Sequence, residues 1–434
     1  MSARLLLSQL WEELGEDAGV LDSVMEPSTP VPLHSRLATG QLAWASVALA
    51  VLASHNDPAM IDPVRIATAY RSDRVLRIDG QAPPVWSPLS GFWETDDGWV
   101  RTHGNYPHHA AALRAGLRLK EPADADDVRS AVSRMTAADA VSAITSTGGL
   151  AVPVLEEDRS EDARLRQHPV LDIRKLGTHA APRTPRVGAA PLPLSGVRVL
   201  DLTRVIAGPV CTRTLALLGA DVLRIDPATM AEPSWQHLDT GHGKRTALLD
   251  ARSPRMRELL ADADAVVLGY RPDALDRLGL APEALAQQYP GLIIAQLSAW
   301  GLDHPDRAGF DSLVQAESGI AMIESRDGFR PGTLPAQALD HSAGYLLAAA
   351  VIALLRRRDR EGGTWFVQAS LRRVAAELLG MTRRVEPALD SLIDDPSHTA
   401  HFRVGDSDLI TARPALPGLE FAAPRPWGQD QPRW

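Results

Sequence analysis

The 434-residue chain has a single cysteine, Cys211. That excludes an intrachain disulfide framework and a cysteine-based zinc site. It also lacks an excess of positive charge: 45 Lys and Arg stand against 54 Asp and Glu, a formal net of −9. An extended nucleic-acid or anionic-membrane surface is therefore not expected, although a local basic pocket remains compatible. Long hydrophobic runs are missing too. The most apolar stretches, 42–53 and 343–355, fall short of the roughly 18–20 residues a bilayer crossing needs. The first residues carry one arginine, Arg4, and reach Glu12, Glu13 and Glu16 before any apolar region develops. No secretory or membrane address is expected, and the cytoplasm is the predicted compartment.

Several chemical signatures are absent as well. No G-x-G-x-x-G follows the first clear strand, which argues against nicotinamide binding. No H-E-x-x-H places two histidines on one helical face, so no metal is expected. No G-x-S-x-G elbow anchors a serine nucleophile. What is present is a globular composition, 45% hydrophobic and 23% charged, long enough for two or three domains.

Composition divides the chain near residue 190. The Pro- and Ala-rich stretch 179–194 reads as a linker, because repeated proline removes backbone donors and favours extended geometry. Beyond it, Val197–Leu202 reads as a strand, Val210–Leu218 as a helix and Val222–Asp226 as a second strand, the size of a βαβ unit. Further strands are expected at Ala265–Leu268 and Leu292–Leu297, with a helix at Ser253–Ala261. The expected fold class is α/β, a Rossmann-like, mostly parallel sheet with flanking helices, plus a smaller α+β domain. A buried helix is predicted over Ser342–Arg358, behind Asp340, followed by a strand at Thr364–Ala369 and a helix capped by Ser370. The N-terminal third offers helices at Leu5–Leu14 and Leu42–Leu52, and a hairpin across Gly91–Arg101 with an Asp-Gly turn. The expected partition is an N-terminal region 1–178 holding the small α+β domain at about 80–170, the linker 179–194, an α/β domain 195–380, and a Pro-rich C-terminal extension 381–434 whose tail from Arg413 onward runs over a surface.

Candidate chemistry gathers where strands end. Lys244 and Arg245, then Tyr270, Arg271 and Arg277, lie in loops after strands, where open parallel sheets bind ligands. Taken one by one they read as a solvated basic turn; taken together they suit a phosphorylated ligand. Asp340, at the mouth of the buried helix, reads either as its N-cap or as a carboxylate nucleophile in a partly apolar setting, and Asp311 shares that ambiguity.

Taken in order, five phrases resemble the family III CoA-transferases, the CaiB–BaiF type that includes formyl-CoA transferase and the alpha-methylacyl-CoA racemases. They are PLSGVRVLDLTRVIAGPVCTRTLALLGADVLRID at 193–226, GKRTALLD at 243–250, YRPDALDRLGL at 270–280, GFDSLVQAESG at 309–319 and LDHSAGYLLAAAVIALLRRR from Leu339. The resemblance implies acyl-CoA:carboxylate CoA transfer with Asp340 as the covalent nucleophile. It requires no prosthetic group, coenzyme A thioester being a substrate. It places Val205, Ile206 and Ala207 along the pantetheine channel, Leu249 and Arg252 near the adenosine, and Tyr270 and Arg277 on the nucleotide side. It also implies an interlocked homodimer. The acyl-CoA and a carboxylic acid acceptor are the expected small-molecule partners.

Two departures qualify the resemblance. Phe310 stands where the racemase branch has a catalytic histidine, which favours transferase over racemase. The counterpart of the transferases' glycine-rich loop, Asp79–Trp86, has one glycine and a Pro-Pro pair, which leaves room for a weakly active member or a non-catalytic CoA-binding subunit. Moreover, 91–117 and 149–170 resemble later parts of the family, here placed before residue 193. A circularly rearranged or partly duplicated member is expected, with a shortened remnant after Ser370.

Overall fold

A computed structural model describes residues 2–55, 58–178, 180, 192–384 and 395–434. Most of the expected linker, residues 179 and 181–191, lies outside the described residues. The N-terminal strands are β1 (Arg77–Ile78), β2 (Phe92–Glu94), β3 (Trp99–Thr102) and β4 (Ala151–Pro153). The next seven are β5 (Asp172–Gly177), β6 (Arg198–Leu202), β7 (Asp221–Asp226), β8 (Arg245–Leu248), β9 (Ala265–Leu268), β10 (Ile293–Ser298) and β11 (Thr364–Ser370). A C-terminal hairpin adds β12 (Thr399–Val404) and β13 (Ser407–Ala412).

The last seven before that hairpin form one sheet in the order β5-β11-β10-β9-β6-β7-β8. All neighbours are parallel except β5, which pairs antiparallel with β11. The fold class is thus α/β, a largely parallel sheet wrapped by helices, with smaller antiparallel sheets beside it. From β6 the chain builds outward through β7 and β8, then returns to lay β9, β10 and β11 on the other side. The β6/β9 boundary is therefore the topological switch point, where the crossovers part and leave a crevice outside the strands' carboxyl ends.

The long helix Ala338–Glu361 packs between the Thr39–Ala53 and Ala207–Leu217 helices. It is long and apolar enough to cross a membrane by length and composition, but that apolar stretch is wholly buried inside the protein. Gly344 permits the close approach. A Cβ there would sit 2.6 Å from the Ala207 carbonyl oxygen and 2.8 Å from Val210.

The expected boundary at 178 does not follow the packing. Helices Ala3–Glu13 and Thr39–Ala53 share the core of the large sheet, and β5 is one of its strands. Sheet β2-β3-β4 stands apart. It buries Trp93, Val100 and Ala151 with Leu113, Val128, Val132 and Ile144 in a core of its own. An Asp124–Asp127 capping box starts one of its helices, Ala125–Val132.

The extension opens with the β12–β13 hairpin, and the part from Arg413 onward carries no helix or strand. β13 pairs with both β12 and β1. The tail's last residues then cover the edge strand β8: the Asp430 amide donates to the Thr246 carbonyl at 2.8 Å, and Trp427 Nε1 donates to Asp226 at 3.0 Å. Covering an edge blocks pairing with another chain.

Candidate active site

At the carboxyl end of β6 the chain turns sharply into the Ala207–Leu217 helix. Val205 takes φ +67°, a costly conformation for a β-branched residue. The turn is held from several sides. The Val205 amide donates to Glu232, itself paired with the fully buried Arg224, which also grips Asp226 at 2.8 Å. Asp201 accepts from the Thr203 amide at 3.0 Å, Thr212 Oγ1 at 2.6 Å and Lys244 Nζ at 3.1 Å. Lys244 also donates to the Pro209 carbonyl at 2.9 Å. Burial draws the Lys244 ammonium down to about 8 against the opposing pull of Asp201. Lys244 is thus no solvated turn and no phosphate ligand. It is a buried cation that fastens β6 to the helix beside it.

This framework fixes the Ala207 amide at a helix N-terminus beside the switch point. That amide donates to the Asp340 carboxyl. Asp340 is not an N-cap: the helix starts at Ala338, so Asp340 lies in its first turn. The cap comes from elsewhere. Asp311, wholly buried at the start of the Asp311–Glu317 helix, accepts from the Asp340 amide at 3.0 Å and from the Leu339 amide. Gln315 Nε2 donates to the other Asp311 oxygen, and Gln315 Oε1 accepts from Leu334 at 2.9 Å. Carboxylates at helix N-termini are favoured by unsatisfied amides and the helix dipole.

Burial nevertheless dominates both acids. It pushes the Asp311 carboxyl up to about 6. Burial first, then the neighbouring Asp311 charge, hold Asp340 well above the usual carboxylate range, opposed by the Ala207 amide. Two like charges this close resist ionising together.

The other predicted residues spread along the same sheet edge. Val205 and Ile206 are half-buried beside Ala207. Tyr270, after β9, holds a buried hydroxyl with no hydrogen-bond partner among the described residues. Leu249 is half-buried after β8, while Arg252 is exposed and only loosely paired with Asp250 at 3.9 Å. Arg277 is exposed and pairs with Asp273 one helical turn away. A cavity of about 240 Å³ lies elsewhere, bordered by Val31, Leu37, Trp44 and Arg384, and touches none of these positions.

The wall facing this edge comes from the small β2-β3-β4 unit, which sequence reasoning did not bring to the site. His103 stacks on Phe310, ring centroids 3.8 Å apart and planes 7° from parallel. Tyr106, His109 and Trp86 gather around the same rings. Burial holds the His103 imidazole well below its ordinary value, so it is neutral, and its Nδ1 has no hydrogen-bond partner among the described residues. The Asp79–Trp86 loop ends in this cluster at Trp86, while Asp79 is tied to β13 by the Asp408 amide. The one advance signal was compositional: three histidines and a tyrosine within 103–109.

Comparison with known proteins defines the class. Residues 194–390 match CoA-transferase family III. Over 205 residues the chain is 34% identical to the probable fatty acyl-CoA transferase Rv3272 of Mycobacterium tuberculosis, a match covering 43% of this chain and 52% of that one. It is 32% identical over 200 residues to the succinyl-CoA:glutarate CoA-transferase of Mus musculus, covering 41% and 45%. The formyl-CoA:oxalate CoA-transferase of Bradyrhizobium diazoefficiens is 31% identical over 199 residues, covering 41% and 46%. A crystal structure of Rv3272 aligns at 34% identity over 43% of this chain and 56% of that one, with a TM-score of 0.41. The chain spans about half the length of the curated relatives it matches.

Proposed function

We propose that the chain is an acyl-CoA:carboxylate CoA-transferase that works through a covalent bond to Asp340. The observation that carries this reading is the Asp340 carboxyl at the switch point of the parallel sheet, hydrogen-bonded to the helix-terminal Ala207 amide and paired with buried Asp311. Its raised pKa makes the ionised form more basic and a stronger nucleophile.

In the first step an Asp340 oxygen attacks the thioester carbonyl. The C–S bond breaks, CoA thiolate leaves with the electron pair, and an acyl-aspartyl anhydride remains. The thiolate then attacks the aspartyl carbonyl and expels the first carboxylate, leaving an aspartyl-CoA thioester. An incoming carboxylate attacks the aspartyl carbonyl of that thioester and expels CoA thiolate, giving a new acyl-aspartyl anhydride. The thiolate then attacks the acyl carbonyl, and Asp340 leaves as its free carboxylate. Each step builds negative charge on a carbonyl oxygen, which a fixed amide such as Ala207 can stabilise.

Val205, Ile206 and Ala207 line the pantetheine path in this reading, with Leu249 and Arg252 toward the adenosine and Tyr270 and Arg277 toward the phosphates. No prosthetic group takes part. We place the protein in the cytoplasm and read its assembly as a homodimer.

One observation favours a second reading, acyl-CoA racemisation. The His103 ring lies against Phe310, so an imidazole stands beside the position where sequence denied one. Deuterium uptake at the α-carbon of a 2-methylacyl-CoA would support racemisation. Movement of labelled CoA from a donor thioester to a free acid supports transfer, and Asp340→Ala should abolish that movement.

A further inference from the structure

The small unit turns one face of its sheet toward the large core. Phe92 and Val152 on that face pack with the large core, whereas Trp93 and Val100 point into the small one. Arg101 pairs in register with both Phe92 and Val152, so it shares the inward face. Its guanidinium sits 4.7 Å from the Phe92 ring centroid and 5.0 Å from that of Trp86. Arg101 is only 6% exposed. It forms no ion pair or side-chain hydrogen bond with the described residues, and its Nε is buried without a partner. Burial alone draws it down to about 10, with no carboxylate opposing the shift.

Several other deeply buried cations meet carboxylates among the described residues: Arg224 has Asp226 and Glu232, Lys244 has Asp201, Arg358 has Asp264, and Arg373 has Glu377, while Arg213 donates to the Asp239 carbonyl at 2.8 Å. A buried charge left uncompensated is expensive, so a persistent one marks a place for an external counter-ion. The location is specific. Two residues along the strand, His103 stacks on Phe310, and the next residue, Asp311, holds the Asp340 amide. Trp86, 40% exposed, leaves that side of the guanidinium near solvent.

We propose that Arg101 is a specificity residue, anchoring a carboxylate that the transfer does not consume, so that the preferred acid is a dicarboxylate with one end at Asp340 and the other at Arg101. This rests on the transferase reading above. A planar guanidinium presents parallel donors that match a carboxylate edge-on, while the flanking rings hold it flat. A single cation between two aromatic rings fits a carboxylate better than a phosphate chain, which would draw several cations.

The test is calorimetric binding of succinate and glutarate against butyrate and pentanoate to the full chain, alongside Arg101→Met and Arg101→Lys. The expected result is a preference for the dicarboxylates in the unmodified chain. In R101M the ratio of monocarboxylate to dicarboxylate dissociation constants should fall about 10-fold to 100-fold, the usual reach of a charged hydrogen-bonded pair. R101K keeps the charge without the fork and should fall in between; it reads the same ratio if R101M does not fold. An unchanged ratio in the variants, or no preference in the unmodified chain, overturns the assignment. Because binding needs no turnover, Arg101 is tested even if Asp340 transfers nothing, and labelled-CoA transfer tests Asp340 separately.

Discussion

The main-chain amide of Asp340 donates to the Asp311 carboxyl at 3.0 Å, so one buried acid holds the backbone of the other. The link spans 29 residues of sequence and ties the entry of the long central helix to the Asp311–Glu317 helix. It also sets the electrostatics of the site, because the acid that positions Asp340 repels its charge.

That coupling fixes a pH dependence. In the proposed mechanism Asp340 attacks as the carboxylate, so the transfer rate should rise with pH through the raised value. Asp311→Asn removes the like charge while leaving an oxygen to accept the Asp340 amide. The acid limb of the kcat/KM profile for CoA transfer should move to lower pH in this variant. An unmoved limb would mean that Asp311 does not tune Asp340.

Stability should respond with its own sign. A carboxyl whose value is raised on folding binds its proton more tightly when folded. Stability is therefore intact below the ordinary value of 3.8 and falls as pH rises from there through the raised value of Asp340. Asp340→Asn removes that loss. Its melting temperature should exceed that of the unmodified chain at about pH 8, and the gain should vanish near pH 3.5, while transfer is abolished.

The basic residues should separate into two kinds. Lys244→Met strands the wholly buried Asp201 and should destabilise by about 3–5 kcal/mol in denaturant melts. Arg277→Ala removes an exposed pair and should cost no more than about 1 kcal/mol. If Arg277 contacts CoA phosphate, the same variant should weaken CoA binding with its fold intact.

Close helix packing gives a geometric test. Gly344→Leu places atoms where the Ala207 carbonyl and Val210 already lie. Forcing the helices apart should cost about 1–3 kcal/mol or more. It should also lower kcat more than it raises KM, because the Ala207 amide moves away from Asp340.

The sequence made the parallel unit readable because each strand is a short apolar run ended by a turn. Ala265–Leu268 was placed to the residue, and Ser370 caps its helix by accepting from Arg373 at 3.2 Å. Asp340 stood out by the apolar helix that follows it. Three other features were hidden for physical reasons. β5, DIRKLG, is an edge strand with alternating charges and carries no run of apolar residues. Asp311 as the cap of another helix is a contact across 29 residues, which local capping patterns do not encode. Lys244 looked solvated because its partner, Asp201, precedes it by 43 residues.

The small unit was legible as a hairpin in GFWETDDGWVR, yet nothing local told which face of it would meet Phe310. That depends on the docking of two cores. The same holds for Arg101, whose isolation is evident only once every neighbour is in place.

The most direct test of covalent catalysis by Asp340 is mass spectrometry of the full chain after incubation with an acyl-CoA donor and quenching with hydroxylamine. Either activated aspartyl species would yield a hydroxamate, and the expected result is that modification on the peptide containing Asp340, absent without donor and absent in Asp340→Ala. CoA transfer that proceeds with Asp340 unmodified, or that survives its replacement by alanine, would contradict it.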